Sequence, residues 1–243
     1  MAEEEQTQLN YIPETILKKR KSNEEWALRR KEQFEQRKAT NKKSKDYIKK
    51  PEDFIIEYRN RELDLIRLKQ RVKRKRPAAP NSKLLLVVRI QGKNDMHPKT
   101  RKILYNLNLR RIFSAVFVKA NDGIMEKLQM VEPYVTYGYP NLKNVRELVY
   151  KRGFARIDKN KVPLTDNNII ETELGKHGIL CIEDMVHEIA NIGPHFKEVV
   201  TFLWPFALNK PENGLRASKT LYKDGGDTGN REDHINDLIN KMN

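Results

Sequence analysis

Five residues between positions 183 and 195 carry side chains suited to acid–base or metal chemistry. Glu183, Asp184, His187 and Glu188 share one face at helical spacing, and His195 follows. A zinc protease needs two histidines four residues apart around a glutamate, and after His187-Glu188 the next histidine stands only at 195. The pattern reads instead as an acid-rich helix start, with carboxylates favourably placed against the helix dipole. Cys181 opens the same helix, where a thiol is acidified, but a nucleophilic cysteine needs a paired histidine and the sequence identifies none. It reads as a small hydrophobe. Lys176-His177-Gly178 and Gly225-Gly226-Asp227 lack the preceding strand of a phosphate-binding glycine loop, so Gly175 and Gly178 read as turn formers. These groupings support no catalysis, metal, other cofactor or small-molecule substrate.

The remaining chemistry is that of cations. Lys18-Lys19-Arg20-Lys21, Arg29-Arg30-Lys31, Lys42-Lys43 and Lys73-Arg74-Lys75-Arg76 recur along the first third. Arg89, Lys99, Arg101, Lys102, Arg110-Arg111, Lys151-Arg152, Arg156, Lys159 and Lys161 continue the series. The whole chain of 243 residues has 48 Lys and Arg against 33 Asp and Glu, a net charge of +15. Such an excess favours a polyanion, because each phosphate neutralised releases condensed counterions. No run of about 18 apolar residues could span a membrane, and no apolar segment follows a basic N-terminus as in a secretory signal. The single cysteine cannot form an internal disulfide, which fits a reducing compartment. An RNA-recognition aromatic consensus, zinc-finger spacing and a basic zipper are all missing. The expectation is therefore shape and phosphate contact with folded RNA rather than base reading in DNA.

Residues 1–80 separate from the rest by charge. They hold 23 of the Lys and Arg and 14 of the Asp and Glu, net +9, with sparse apolar residues. Helix is favoured from about residue 14, and Pro51-Glu52-Asp53 reads as the first turn of a second helix that Pro77-Ala78-Ala79-Pro80 stops. A solvated charged tail is the alternative. Residues 81–140 read as β-α-β-α-β: strand Leu84–Ile90, helix Pro98–Leu109, strand Ser114–Ala120, helix Asp122–Val131 and strand Tyr134–Tyr139. The uninterrupted run Leu84 to Val88 predicts a strand covered on both faces or lying mid-sheet, whereas Pro140 suits an edge or a terminus for the third strand. Residues 141–243 read as mainly helical. Asn141 and Thr165-Asp166 open helices, Phe154–Leu164 forms a basic hairpin or loop, and 209–230 is loop-like. The apolar sets Ile182, Met185, Val186, Ile189 and Phe196, Val199, Val200, Leu203 mark two amphipathic helices.

The segments Val87–Ile90, Pro98–Lys102, Phe113–Lys119 (FSAVFVK), Val131–Asn141 (VEPYVTYGYPN), Arg146–Gly153, Pro163–Asn167 (PLTDN) and Leu174–Ile179 (LGKHGI) resemble the eukaryotic large-subunit ribosomal protein seven family. His187–Ile189, Gly193–Lys197 (GPHFK), Phe202–Phe206 (FLWPF) and Gly229–Glu232 (GNRE) continue the match in order across roughly residues 83–243. The arm matches more loosely, through Ile12-Pro13-Glu14 and Leu17–Lys21. Lys93–His97 is more polar than the family's loop there, and Asn209–Lys223 diverges.

The resemblance implies an α+β protein whose β-α-β-α-β core is shared with the bacterial large-subunit protein thirty. Its three strands form an antiparallel sheet with the first strand central, between a long N-terminal helical arm and a helical C-terminal extension packed on the core. It implies a structural constituent of the large ribosomal subunit, bound to large-subunit ribosomal RNA and neighbouring ribosomal proteins. The place implied is the cytoplasmic ribosome, after a nucleolar assembly stage. The alternative within the family is an assembly factor on precursor RNA; an RNA enzyme would need a titratable pocket, which the sequence does not supply. The cations named above, from Lys18 to Lys161, are the expected phosphate contacts.

Overall fold

A computed structural model describes residues 21, 24–25, 27–36, 38, 49–74, 83–92, 96–158, 160–211, 215 and 219–243. The chain divides into two compact units, residues 1–55 and 56–243. In the first, residues 21, 24–25, 27–36 and 38 are helical and exposed, Leu28 and Phe34 included. The expected arm motifs Ile12–Glu14 and Leu17–Arg20, and the helix stop Pro77–Pro80, lie outside the described residues.

From residue 51 the elements are α1 (Pro51–Val72), β1 (Leu84–Arg89), α2 (Pro98–Asn106), β2 (Ser114–Lys119), α3 (Asp122–Val131), β3 (Val135–Gly138) and α4 (Leu142–Arg152). There follow β4 (Phe154–Ile157), β5 (Asn160–Pro163), α5 (Asn167–Leu174), α6 (Ile182–Asn191), α7 (Phe196–Phe202), β6 (Phe206–Ala207), β7 (Gly229–Glu232) and α8 (Ile235–Met242). Pro51 and Pro98 begin helices as their fixed φ suits. Asn141 and Asp166 cap α4 and α5 by accepting from the N–H groups of Asn144 at 2.8 Å and Asn168 at 3.2 Å.

β1 lies at the centre of the main sheet, and β2 and β3 pair antiparallel on its two sides. Leu84, Leu86 and Val88 point into one core, shared with α4 to α8. Leu85 and Val87 point into a second, shared with α2 and α3. With helices on both faces, every residue of β1 must be buried, which is the physical reason for its unbroken apolar run.

The sheet has five strands, in the order β6-β2-β1-β3-β7, where the sequence led to an expectation of three. β6 adds antiparallel to β2, and β7 adds parallel to β3. The third strand is therefore no edge, and Pro140 lies just past its terminus at Gly138, the other place such a proline suits. Gly138 makes the addition of β7 possible, because a Cβ there would run into the Glu232 carbonyl and the Ile235 side chain. Gly229–Glu232 has no strand-forming composition of its own, and tertiary bonds hold it in place. Thr136 Oγ1 donates to the Gly229 carbonyl at 3.3 Å, and Arg231 Nε donates to Thr136 Oγ1 at 3.0 Å. Part of the loop expected over 209–230 is thus sheet. The basic segment after α4 is a true hairpin: β4 and β5 pair antiparallel around Asp158, which takes the left-handed φ of 47°.

α1 buries an unusual set of groups. Its buried residues are Asp64, Leu68 and Arg71. Asp64 accepts from the His97 N–H at 2.9 Å and lies 3.6 Å from Arg71. Charge patterning grouped this helix with the arm, yet from Ile56 onward it belongs to the larger unit.

Candidate nucleic-acid interface

The cations of the larger unit come from separate segments, and β2 and β6 join several of them along one edge of the sheet. After α2 the chain turns through Asn108 in the left-handed region and presents Arg110 and Arg111, both exposed. The Arg110 guanidinium lies 3.9 Å from the centre of the Tyr105 ring, itself half exposed. Ser114, the first residue of β2, donates its hydroxyl to the Arg111 carbonyl at 2.6 Å and pairs with Ala207 in β6. The Ala207 carbonyl accepts from Arg152 at 2.9 Å, so the end of α4 is tied to the same edge. The hairpin continues the line. The Trp204 backbone N–H donates to the Phe154 carbonyl at 2.7 Å, and Arg156 sits 5.2 Å from the Trp204 ring. Lys161 sits 3.6 Å from the Phe154 ring. Arg110, Arg111, Arg152, Arg156 and Lys161, which span about fifty residues of sequence, are thus linked into one strip of neighbouring segments, with Arg152 and Arg156 half-buried in it.

Arg89 was expected among the phosphate contacts and is not placed for it. It is 3% exposed, and its guanidinium donates to four backbone carbonyls, Gln91 (2.9 Å), Leu109 (2.9 Å), Arg110 (3.0 Å) and Gly92 (3.1 Å). Burial holds its pKa below the usual arginine value, with the neighbouring Arg101 adding to the effect. The physical reason is its position at the end of an all-buried strand, where a charged side chain must find internal partners. Arg89 instead fixes the turn that displays Arg110 and Arg111.

Lys99, Arg101 and Lys102 are exposed on α2, and Lys73 and Arg74 are exposed just after α1. Arg74 lies 3.7 Å from Glu132, whose carboxyl burial pushes above its ordinary range even against the pull of Arg74 and Arg71. Lys151 is exposed and pairs with Glu147 at 3.4 Å. Lys21, Arg29 and Arg30 are exposed in the first unit. Lys18, Lys19, Arg20, Lys75, Arg76 and Lys159 lie outside the described residues.

The rings beneath these cations were not among the residues expected from sequence. Tyr105 stands five residues before Arg110, a spacing that could have suggested the pair. Trp204 and Arg156 are 48 positions apart, so only the tertiary fold joins them. A guanidinium or ammonium lying on a ring is held in direction while its outer N–H groups remain free for phosphate.

The acidic and histidine cluster behaves as a set of local bonds. Asp184 accepts from the Leu180 and Cys181 N–H groups at 3.0 and 3.2 Å, and these bonds keep it below the usual carboxylate range. Glu183 is held down chiefly by the Tyr150 hydroxyl, with Arg146 at 2.7 Å. His187 bonds Asn191, while His195 stacks on His177 at 4.6 Å. Among the described residues no three His, Cys, Asp or Glu side chains converge as metal ligands, and no helix is long and apolar enough to cross a membrane.

Residues 85–135 match the ribosomal protein L30p/L7e family, and residues 12–77 match the ribosomal L30 N-terminal domain. The chain is 57% identical to the large ribosomal subunit protein uL30z of Arabidopsis thaliana, over all of both chains. It is 46% identical to the uL30 protein of Caenorhabditis elegans over 95% of this chain and 96% of the relative. Identity to the Dictyostelium discoideum uL30 protein is 42%, again over all of both chains.

Proposed function

Because the chain belongs to the ribosomal protein L30p/L7e family, we propose that it is a structural constituent of the large ribosomal subunit. In this reading it binds folded ribosomal RNA through phosphate and shape contacts, touches neighbouring ribosomal proteins and supports translation. The observation that carries the reading is identity over the full length to relatives named as large-subunit proteins, arm included. The strip from Arg110 to Lys161 supports it, since a row of ring-backed cations suits a phosphate backbone better than a base edge. Its role is to hold RNA rather than to act on it chemically.

By charge and role the chain divides into a basic arm over 1–80, an RNA-binding core over 81–140 and a C-terminal part over 141–243 packed on that core. Within the arm, α1 from Ile56 onward is the part that belongs to the larger compact unit. The proposed site of action is the cytoplasmic ribosome, reached through nucleolar assembly. Sucrose-gradient sedimentation of the tagged chain tests this. It should travel with large subunits and with translating polysomes. Restriction to precursor particles would replace the reading with that of an assembly factor.

A further inference from the structure

From Ile56 onward α1 leaves Ile56, Tyr58, Leu63, Ile66 and Val72 exposed, interspersed with Arg59, Glu62, Arg67 and Lys69. Asp64, Leu68 and Arg71 anchor it, while Tyr58, Leu65 and Val72 recur every seven residues beside that anchor. Tyr58 is 68% exposed and Val72 is 60% exposed. Residues seven apart return to nearly the same face of a helix, so Tyr58, Leu65 and Val72 form one seam. Next to this seam α1, α2 and α3 enclose a groove of about 570 Å³, within the range of roughly 300–1,000 Å³ common to binding sites. Leu65, Leu68, Val72, Ile103 and Met130 form its floor.

The rim has one sign of charge. Lys69 and Lys73 stand on the α1 side, and Lys99 and Lys102 on the α2 side. All four are exposed, none of the lining residues is acidic, and none of the four lysines has an acidic partner among the described residues. A partner must therefore be apolar in the middle and negative at the edges. RNA supplies the charge but fits the floor poorly, because an unstacked base seeks an aromatic ring or a guanidinium plane and the lining has neither. Aliphatic side chains on a helical ridge match the floor, and methionine at position 130 adapts to their shape.

We propose that this groove docks an amphipathic helix of a neighbouring protein, whose apolar ridge fills the floor and whose flanking carboxylates meet the four lysines. The inference rests on the placement in the large subunit, and the experiment separates the two. A photoreactive benzoylphenylalanine replaces Val72, and in a second strain Ile103, in the full chain. Large subunits are first isolated by sedimentation; absence of the chain from them counts against the ribosomal reading and therefore against this one. In subunits that contain it, irradiation should link both positions to one protein segment with apolar residues at i, i+4 and i+7 flanked by Asp or Glu. Lys69→Glu with Lys102→Glu should cut that yield at least about tenfold, since like charges placed together cost more than one factor of ten in affinity. Lys69→Gln with Lys102→Gln should give a smaller loss. Crosslinks to ribosomal RNA, to this chain itself or to a segment without acidic flanks overturn the proposal, as do no crosslink at all and a yield indifferent to charge reversal.

Discussion

Arg89 and Arg111 are both arginines beside the same turn, and burial gives them opposite roles. Arg89→Ala would leave the carbonyls of Leu109, Arg110, Gln91 and Gly92 without their donor. The expected loss is about 2–4 kcal/mol, read as a lower urea midpoint at unchanged slope. Arg110→Ala with Arg111→Ala should change stability by no more than about 0.5 kcal/mol per site. The pair should instead flatten the salt dependence of binding to a large-subunit RNA fragment by about 1.4–1.8, two contacts at roughly 0.7–0.9 each. An unchanged slope would remove both from the strip. Glu132 provides a pH test. Its folded-state pKa is raised, so its neutral form favours the fold below the ordinary glutamate value of 4.5, and that contribution is lost as pH rises through the raised value. Glu132→Gln should abolish this decline, seen as a flatter plot of unfolding midpoint against pH above 4.5. No sequence spacing distinguishes Arg89 from Arg111. The distinction depends on which carbonyls the fold leaves nearby.

At the scale of elements, most helices and the first three strands were legible because their signals are local. Pro98 at a helix start, the Asn141 cap and the apolar spacing of α6 each act within a few residues. β7 was not legible, since Gly229–Glu232 becomes strand only by pairing with β3, more than ninety residues earlier. Gly138→Ala tests that pairing. The added Cβ would meet a backbone carbonyl that cannot swing aside, so the variant should lose more than about 2 kcal/mol. Hydrogen exchange of residues 229–232 should rise ahead of that of β1. Equal protection of the two strands would show that β7 tolerates the displacement.

For the whole molecule, the boundary of the compact unit falls inside α1. Removing residues 1–55 should leave cooperative unfolding intact, since the unit from Ile56 carries both cores. Removing residues 1–80 takes away buried Leu68 and the Asp64 bond to the His97 N–H as well. That deletion should lower the thermal midpoint by several degrees more, at about 2–4 °C per kcal/mol for a chain of this size. Equal midpoints would place α1 outside the stabilising unit. The first deletion keeps the strip from Arg110 to Lys161, so RNA binding should survive it with a shallower salt slope from the lost arm cations.

Legible from the residues alone were the basic character, the order of the core strands and helices, the unbroken apolar run Leu84–Val88 of β1 and the family. Each follows from composition, short-range periodicity or motif order, which survive without coordinates. Tertiary structure decided the five-strand sheet, the burial of Arg89, the rings under Arg110, Arg156 and Lys161, and the apolar seam that α1 leaves exposed. These depend on which distant backbone groups and side chains meet, and charge or hydropathy along a chain does not encode such meetings locally.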